Sequence, residues 1–140
     1  LLENPKIIVP NFVIVSDNPD KPGRLTSIDS IEKNEAIFDV STESFADLET
    51  ILMNAGTILW NGPLGFFEKE NFDKGTVKIA KMICSSKGFS VAGGGDTIAA
   101  AQKAGVLGKL DYVSTAGGAF LEFMEGKKLP GVEALRDKVN

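Results

Sequence analysis

The chain has 140 residues, enough for one domain with a real buried core, and 43% of them are apolar. Its net charge of −4 argues against nucleic acid or an anionic membrane as a main partner, and no apolar run is long enough to cross a membrane. Histidine is absent and Cys84 is the single cysteine, which excludes Ser-His and Cys-His couples, a histidine-ligated zinc, a cysteine metal cage and an internal disulfide. Carboxylates, amides, lysines or a borrowed metal must carry any chemistry.

The chain opens at Leu1 without methionine and almost at once reaches a strand pattern, Lys6-Ile7-Ile8-Val9-Pro10, an abrupt start expected of a fragment of a longer polypeptide. No basic segment followed by an apolar stretch and a cleavage site opens it, which makes the cytoplasm the default location. Short β-branched or apolar runs predict strands over 7–9, 12–15, 36–40, 57–60, 89–92 and 110–114. Between the first strands, Ser16 to Arg24 holds two prolines and two aspartates and reads as an exposed loop. Phe45, Leu48 and Leu52 share one helical face, with Gly56 as the stop. Phe72, Thr76, Ile79 and Ile83 line up on a second helix, with Gly88 beyond its end. A third helix is predicted from Thr97 to Gly105 and a fourth from Gly118 to Gly126.

Strands alternating with helices imply crossovers of a dozen or more residues, hence parallel pairing and right-handed connections. The fold class this predicts is α/β, a doubly wound parallel sheet of Rossmann-like kind, with the strands at 57–60, 89–92 and 110–114 pointing the same way. Their C-terminal ends then share one edge, where open α/β sheets bind ligands. Each of the three runs into a glycine-bearing turn: Asn61 to Gly65, Gly93 to Thr97, and Thr115 to Gly118.

Gly93-Gly94-Gly95-Asp96-Thr97 is the most informative of these. Glycines between a strand and a helix let backbone amides approach a ligand, and a helix N-terminus favours negative charge. Asp96 would repel a bare phosphate but suits a divalent cation between the two, which points to a metal-nucleotide site. The plainer alternative is a tight turn with Asp96 or Thr97 as N-cap. The segment is neither a P-loop nor a dinucleotide fingerprint, because both spacings are missing, and that disfavours a dinucleotide-dependent oxidoreductase. Asn61 to Glu68, taken alone, reads as a proline turn with a solvated Glu68. Its functional reading has Glu68 accepting from a ribose diol and Asn61 facing phosphates. Ala116-Gly117-Gly118 is equally a turn or a second set of free amides suited to a transferring phosphoryl group. Trp60, Phe66 and Phe67 read as packing, Cys84 as helix packing and Asp39 as a turn residue. Glu122 to Lys128 and Arg136 to Lys138 read as solvated faces.

Together these stretches resemble the phosphoglycerate kinase family. Leu59-Trp60-Asn61-Gly62-Pro63-Leu64-Gly65-Phe66-Phe67-Glu68 resembles its W-N-G-P-x-G-x-F-E segment, and Gly93-Gly94-Gly95-Asp96-Thr97 its G-G-G-D-T/S loop. Ser114-Thr115-Ala116-Gly117-Gly118-Ala119 resembles its S-T-G-G-G-A segment, and the likeness runs on through Leu121 to Lys127 and Leu129 to Val132. The motifs keep family order from Asn61 to Leu135, with a weaker echo at Lys6 to Val15.

The resemblance implies that residues 1–140 are the C-terminal part of the nucleotide-binding domain of a two-domain kinase, an incomplete domain with the N-terminal substrate domain absent. It implies phosphoryl transfer between the acyl phosphate of 1,3-bisphosphoglycerate and ADP, giving 3-phosphoglycerate and ATP, with Mg2+ carried by ADP or ATP. By position, Asp96 would face the magnesium, and Gly94, Gly95 and Thr97 would bind phosphate oxygens. Glu68 would bind the ribose hydroxyls and Asn61 would lie near the phosphates. The amides of Gly95, Gly117 and Gly118 would face the moving group. The full-length enzyme would be a cytoplasmic monomer, binding phosphoglycerate through the missing domain. Three departures stand out: Ile37 replaces a glycine that packs on adenine and so narrows that pocket, Ser41-Thr42 replaces Gly-Pro, and Ala116 replaces a glycine and loses positive-φ freedom. The nucleotide-contacting lysines of the first half-domain are absent, and the sheet is expected to have an uncovered edge. These gaps keep a non-catalytic nucleotide-binding or interaction module as the alternative.

Overall fold

The computed structural model describes residues 4–136, so Lys138 of the charged C-terminal stretch lies outside the described residues. Strand β1 (Phe12–Ser16) pairs antiparallel with both β2 (Arg24–Ser27) and β3 (Ala36–Val40), giving a sheet of order β2-β1-β3. Helix α1 (Ala46–Asn54) follows, then β4 (Thr57–Asn61), α2 (Lys74–Ser85), β5 (Phe89–Gly93), α3 (Gly95–Lys103) and β6 (Tyr112–Ser114). Helices α4 (Gly117–Met124) and α5 (Pro130–Arg136) complete the described chain. Among these residues no helix is long and apolar enough to cross a membrane.

Strands β4, β5 and β6 form the expected parallel sheet, in that order. The register sets Asn61 opposite Gly93 and Gly93 opposite Ser114, so the three strand ends stand level. Successive neighbours joined by right-handed crossovers put α2 and α3 on one face of the sheet. Alternation along the strands supplies the apolar surface those helices need. Ile58 and Trp60 of β4 and Ala92 of β5 are buried against Ile79, Ala80, Met82 and Ile83 of α2 and Ala100 and Ala101 of α3. Phe45 and Leu52 bring α1 onto the same cluster. The opposite face is covered by α4 only at the loop end, where Phe120 lies over Gly93. Leu59, Phe89 and Tyr112 remain 40%, 53% and 56% exposed.

Several expectations are corrected. Ile7–Val9 is not a strand: Pro5 and Pro10 bracket it, and the segment is exposed, without ladder bonds. Arg24, expected as the last residue of a loop, instead begins β2, a strand that was not expected. The strand expected from Leu110 starts at Tyr112, because the Asp111 carboxylate accepts from Ser90 N and Ser90 Oγ at 2.8 and 2.7 Å and turns the chain into β6. The fourth helix runs Gly117–Met124, and α5 was not expected.

Asp39 is not a turn residue. It lies buried on β3, accepting from Val40 N at 2.9 Å and from Gly75 N, in the first turn of α2, at 2.8 Å. This carboxylate fastens the antiparallel sheet to the helical layer. Burial pushes its pKa up to about 6, the two N–H donors oppose that, and nearby Asp73 adds to the rise. A carboxyl with a folded pKa above its unfolded value of 3.8 contributes stability that is complete below that value and is lost as pH rises through the folded one. Unfolding free energy is therefore expected to fall from pH 4 to pH 6.5 by up to about 3 kcal/mol. Denaturant titrations across that range check this; Asp39→Asn should flatten the slope.

Candidate functional site

The three level strand ends are stitched together by short polar bonds. Asn61 Nδ2 donates to Gly93 O at 3.0 Å, joining the end of β4 to that of β5. Thr97 Oγ1, buried in the first turn of α3, accepts from Gly62 N and donates to Gly93 O, each at 2.7 Å. Gly94 N donates to Ser114 O at 3.3 Å, tying β5 to β6. The third loop closes directly on the second, since a Cβ on Gly117 would lie 3.2 Å from Gly94 Cα. Gly94 adopts φ +95° and ψ 148°, a region open essentially to glycine, and so turns β5 straight into α3 without a side-chain cap.

Two helix N-termini, those of α3 and α4, thus sit side by side on this edge. The first N–H groups of a helix have no intrahelical acceptor and carry its positive end, so the edge forms a shelf for an anion. Gly95 and Gly118 are exposed there, and a Cβ on either would meet nothing within 4 Å. Packing does not require glycine at these two positions, and the backbone there is open to close approach.

Asp96 is exposed in the first turn of α3 and makes no hydrogen bond or ion pair among the described residues. No group of three or more Asp, Glu, Cys or His residues gathers among them either. One free carboxylate beside helix-end amides fits a magnesium ion whose other oxygens come from bound phosphates and water, and does not fit a metal held by protein alone.

The structure redistributes the expected roles. Thr97 joins the site, but its hydroxyl is spent between Gly62 and Gly93, and the N–H of Gly94 is spent on Ser114. The amides of Gly95, Asp96 and Thr97 remain for a ligand. Glu68 is exposed in the turn between β4 and α2, with no hydrogen bond or ion pair among the described residues. Ile37 is half-exposed on β3, and Ser41 Oγ caps a short 3-10 turn by accepting from Glu43 N at 3.2 Å. Ala116 takes φ −92°, so the positive-φ freedom it lacks is not used in this conformation. Trp60 and Phe67 are buried, as expected of packing residues.

Two residues that hold the Glu68 loop escaped the sequence reading. Thr76 Oγ1 accepts from Leu64 N at 3.1 Å and Gly65 N at 3.3 Å, although periodicity marked Thr76 only as part of an apolar face. Lys103 donates to Phe67 O and pairs with Asp73 Oδ2 at 2.9 Å. Its partners lie some thirty residues upstream, and no local pattern signals them.

A family model described as phosphoglycerate kinase matches residues 2–127. The fold is similar to the phosphoglycerate kinase structure from Coxiella burnetii, at 44% identity and a TM-score of 0.87, over 94% of this chain and 34% of that one. It is also similar to the phosphoglycerate kinase from Pyrococcus horikoshii OT3, at 37% identity and a TM-score of 0.78, over 91% of this chain and 32% of that one. The chain thus spans about a third of the length of these solved structures.

The two kinds of glycine should separate in thermal melts. Gly94→Ala forces a side chain into a glycine-only conformation and is expected to cost about 1–3 kcal/mol. Gly95→Ala, with open space for its methyl group, should stay within about 0.5 kcal/mol of the parent.

Proposed function

We propose that this chain, which belongs to the phosphoglycerate kinase family, supplies the magnesium-nucleotide half of a phosphoryl-transfer site. The observation that carries the proposal is the pair of open helix N-termini on one edge of a parallel sheet, with Asp96 beside them and without a partner among the described residues. In this reading the amides of Gly95, Asp96 and Thr97 hold phosphate oxygens of ADP or ATP. Glu68 accepts from the ribose hydroxyls, and Asn61, near the phosphates, keeps β4 and β5 together through Gly93. The amides of Gly117 and Gly118 face the phosphoryl group as it moves, where fixed donors aimed at developing charge lower the barrier.

Asp96 is the protein oxygen that would hold magnesium, which when bound neutralises phosphate charge and draws the reacting oxygens into line. The rest of the catalysis is positioning. Side chains and amides orient two substrates for in-line transfer between the acyl phosphate of 1,3-bisphosphoglycerate and ADP, and no covalent enzyme intermediate is required. In this reading the phosphoglycerate side belongs to the rest of a full-length, cytoplasmic, monomeric enzyme, and the chain's span of about a third of the solved structures is what supports it. By itself the chain then binds nucleotide without turnover. The half-exposed Ile37 on β3, and Ser41 committed to a 3-10 turn, favour the second reading, a non-catalytic nucleotide-binding or interaction module.

Calorimetry with ATP, in magnesium and in a chelator, tests the site. Magnesium should tighten binding to the parent chain, and Asp96→Ala should weaken the magnesium complex roughly tenfold, about 1.4 kcal/mol, while leaving metal-free ATP little changed. An equal magnesium effect in both proteins would remove Asp96 from the site. Measurable kinase turnover by the 140-residue chain would overturn the claim that it is only half an active site.

A further inference from the structure

Two rungs tie the loop between β4 and α2 to helix α3. At the first, Thr97 Oγ1 accepts from Gly62 N at 2.7 Å. At the second, the ammonium of Lys103, the last residue of α3, donates to Phe67 O and pairs with Asp73 Oδ2 at 2.9 Å. From residue 97 to residue 103 the helix advances about 9 Å, so the rungs act on opposite ends of α3. The second rung is partly shielded from water, with the Lys103 and Asp73 side chains 32% and 18% exposed. Shielding strengthens both a hydrogen bond and an ion pair relative to a solvated surface pair.

The residue gripped by Lys103 matters. Phe67 is buried and directly precedes Glu68, whose own carboxylate has no partner among the described residues to fix it. The neighbouring tether, Phe66 N to Phe38 O at 2.7 Å, anchors the loop to β3 rather than to α3. Lys103 is therefore the contact that registers Glu68 against the helix whose other end carries Asp96. We propose that Lys103 is a positioning residue for nucleotide recognition, fixing the spacing between the ribose-facing carboxylate and the phosphate-facing helix end. The proposal rests on the reading that Glu68 meets the ribose.

Ligands that engage one or both ends test it. Dissociation constants are measured by calorimetry for the magnesium complexes of ATP, 2′,3′-dideoxy-ATP and inorganic tripolyphosphate. The parent chain should prefer ATP over the dideoxy analogue roughly tenfold, the value of a hydrogen bond to a charged group. Lys103→Met, which keeps the aliphatic stem, should reduce that preference to within about twofold and leave tripolyphosphate within about twofold of the parent. Lys103→Arg, which keeps the charge and has several N–H donors, should keep the preference. If Lys103→Met does not fold, Lys103→Gln is read in the same way. A preference retained in the folded Met or Gln variant overturns the proposal and leaves the Glu68 reading intact. An equal loss for ATP and tripolyphosphate also overturns it, because a general structural role has that signature. A parent chain without any ribose preference removes the Glu68 reading, and the proposal falls with it.

Discussion

Thr97 Oγ1 lies between the ends of two parallel strands, accepting from Gly62 N and donating to Gly93 O at 2.7 Å each. A hydroxyl can do both at once, because it has one hydrogen and two lone pairs. The group is buried, so water cannot take the place of either partner, and leaving one unpaired would cost its full desolvation. Asn61 Nδ2 adds a second bond to the same Gly93 carbonyl. Together they hold the first residue beyond β4 against the last residue of β5, and the rest of the site follows. The turn at Gly62 starts where it does, α3 leaves β5 without an intervening loop, and Gly117 can settle on Gly94. Replacing the hydroxyl by a methyl group would strand a donor and weaken the carbonyl's bonding at one stroke.

Three helix N-termini in this chain meet their positive ends in different ways. The first turn of α2 is satisfied internally, because the buried Asp39 carboxylate takes Gly75 N, and burial charges for that arrangement by raising the carboxyl pKa to about 6. The first turns of α3 and α4 receive no side-chain cap at all. The carboxylate nearest to α3, Asp96, belongs to its own first turn and stays exposed. Because α3 and α4 start side by side, their free donors gather on one sheet edge.

The parallel sheet is layered unevenly. One face packs α2 and α3 through Ile58, Trp60, Ala92, Ala100 and Ala101, while Leu59, Phe89 and Tyr112 face outward on the other. Among the described residues, most of that second face is open. Parallel sheets ordinarily carry cover on both faces. The antiparallel sheet does not supply it. Its strand β3 is fastened instead to the N-terminal end of α2 through Asp39, and the stacked rings of Phe38 and Phe72, 4.9 Å apart, cement that junction.

Much of this was legible in the order of residues. Alternating apolar runs and helical periodicity placed β4, β5, α2 and α3, because period 2 and period 3.6 are local properties. Three glycine turns at the ends of parallel strands then had to share one sheet edge. Other features were out of reach. The strand expected at Ile7–Val9 failed because apolar content alone does not provide a pairing partner, and the antiparallel sheet depends on pairings across loops that sequence does not align. Asp39 looked like a turn residue until β3 and α2 were brought together around it. That the Thr97 hydroxyl is taken up by two strand ends could not be read locally, and Lys103 gained its contacts only when α3 came to lie beside Phe67 and Asp73. The sequence by itself determined the strands and helices of the parallel layer and the glycine turns at its strand ends, since those follow from neighbours in the chain. Which polar groups are consumed by the fold and which remain for a ligand was decided by tertiary structure alone, because a hydrogen-bond partner is a matter of distance in space.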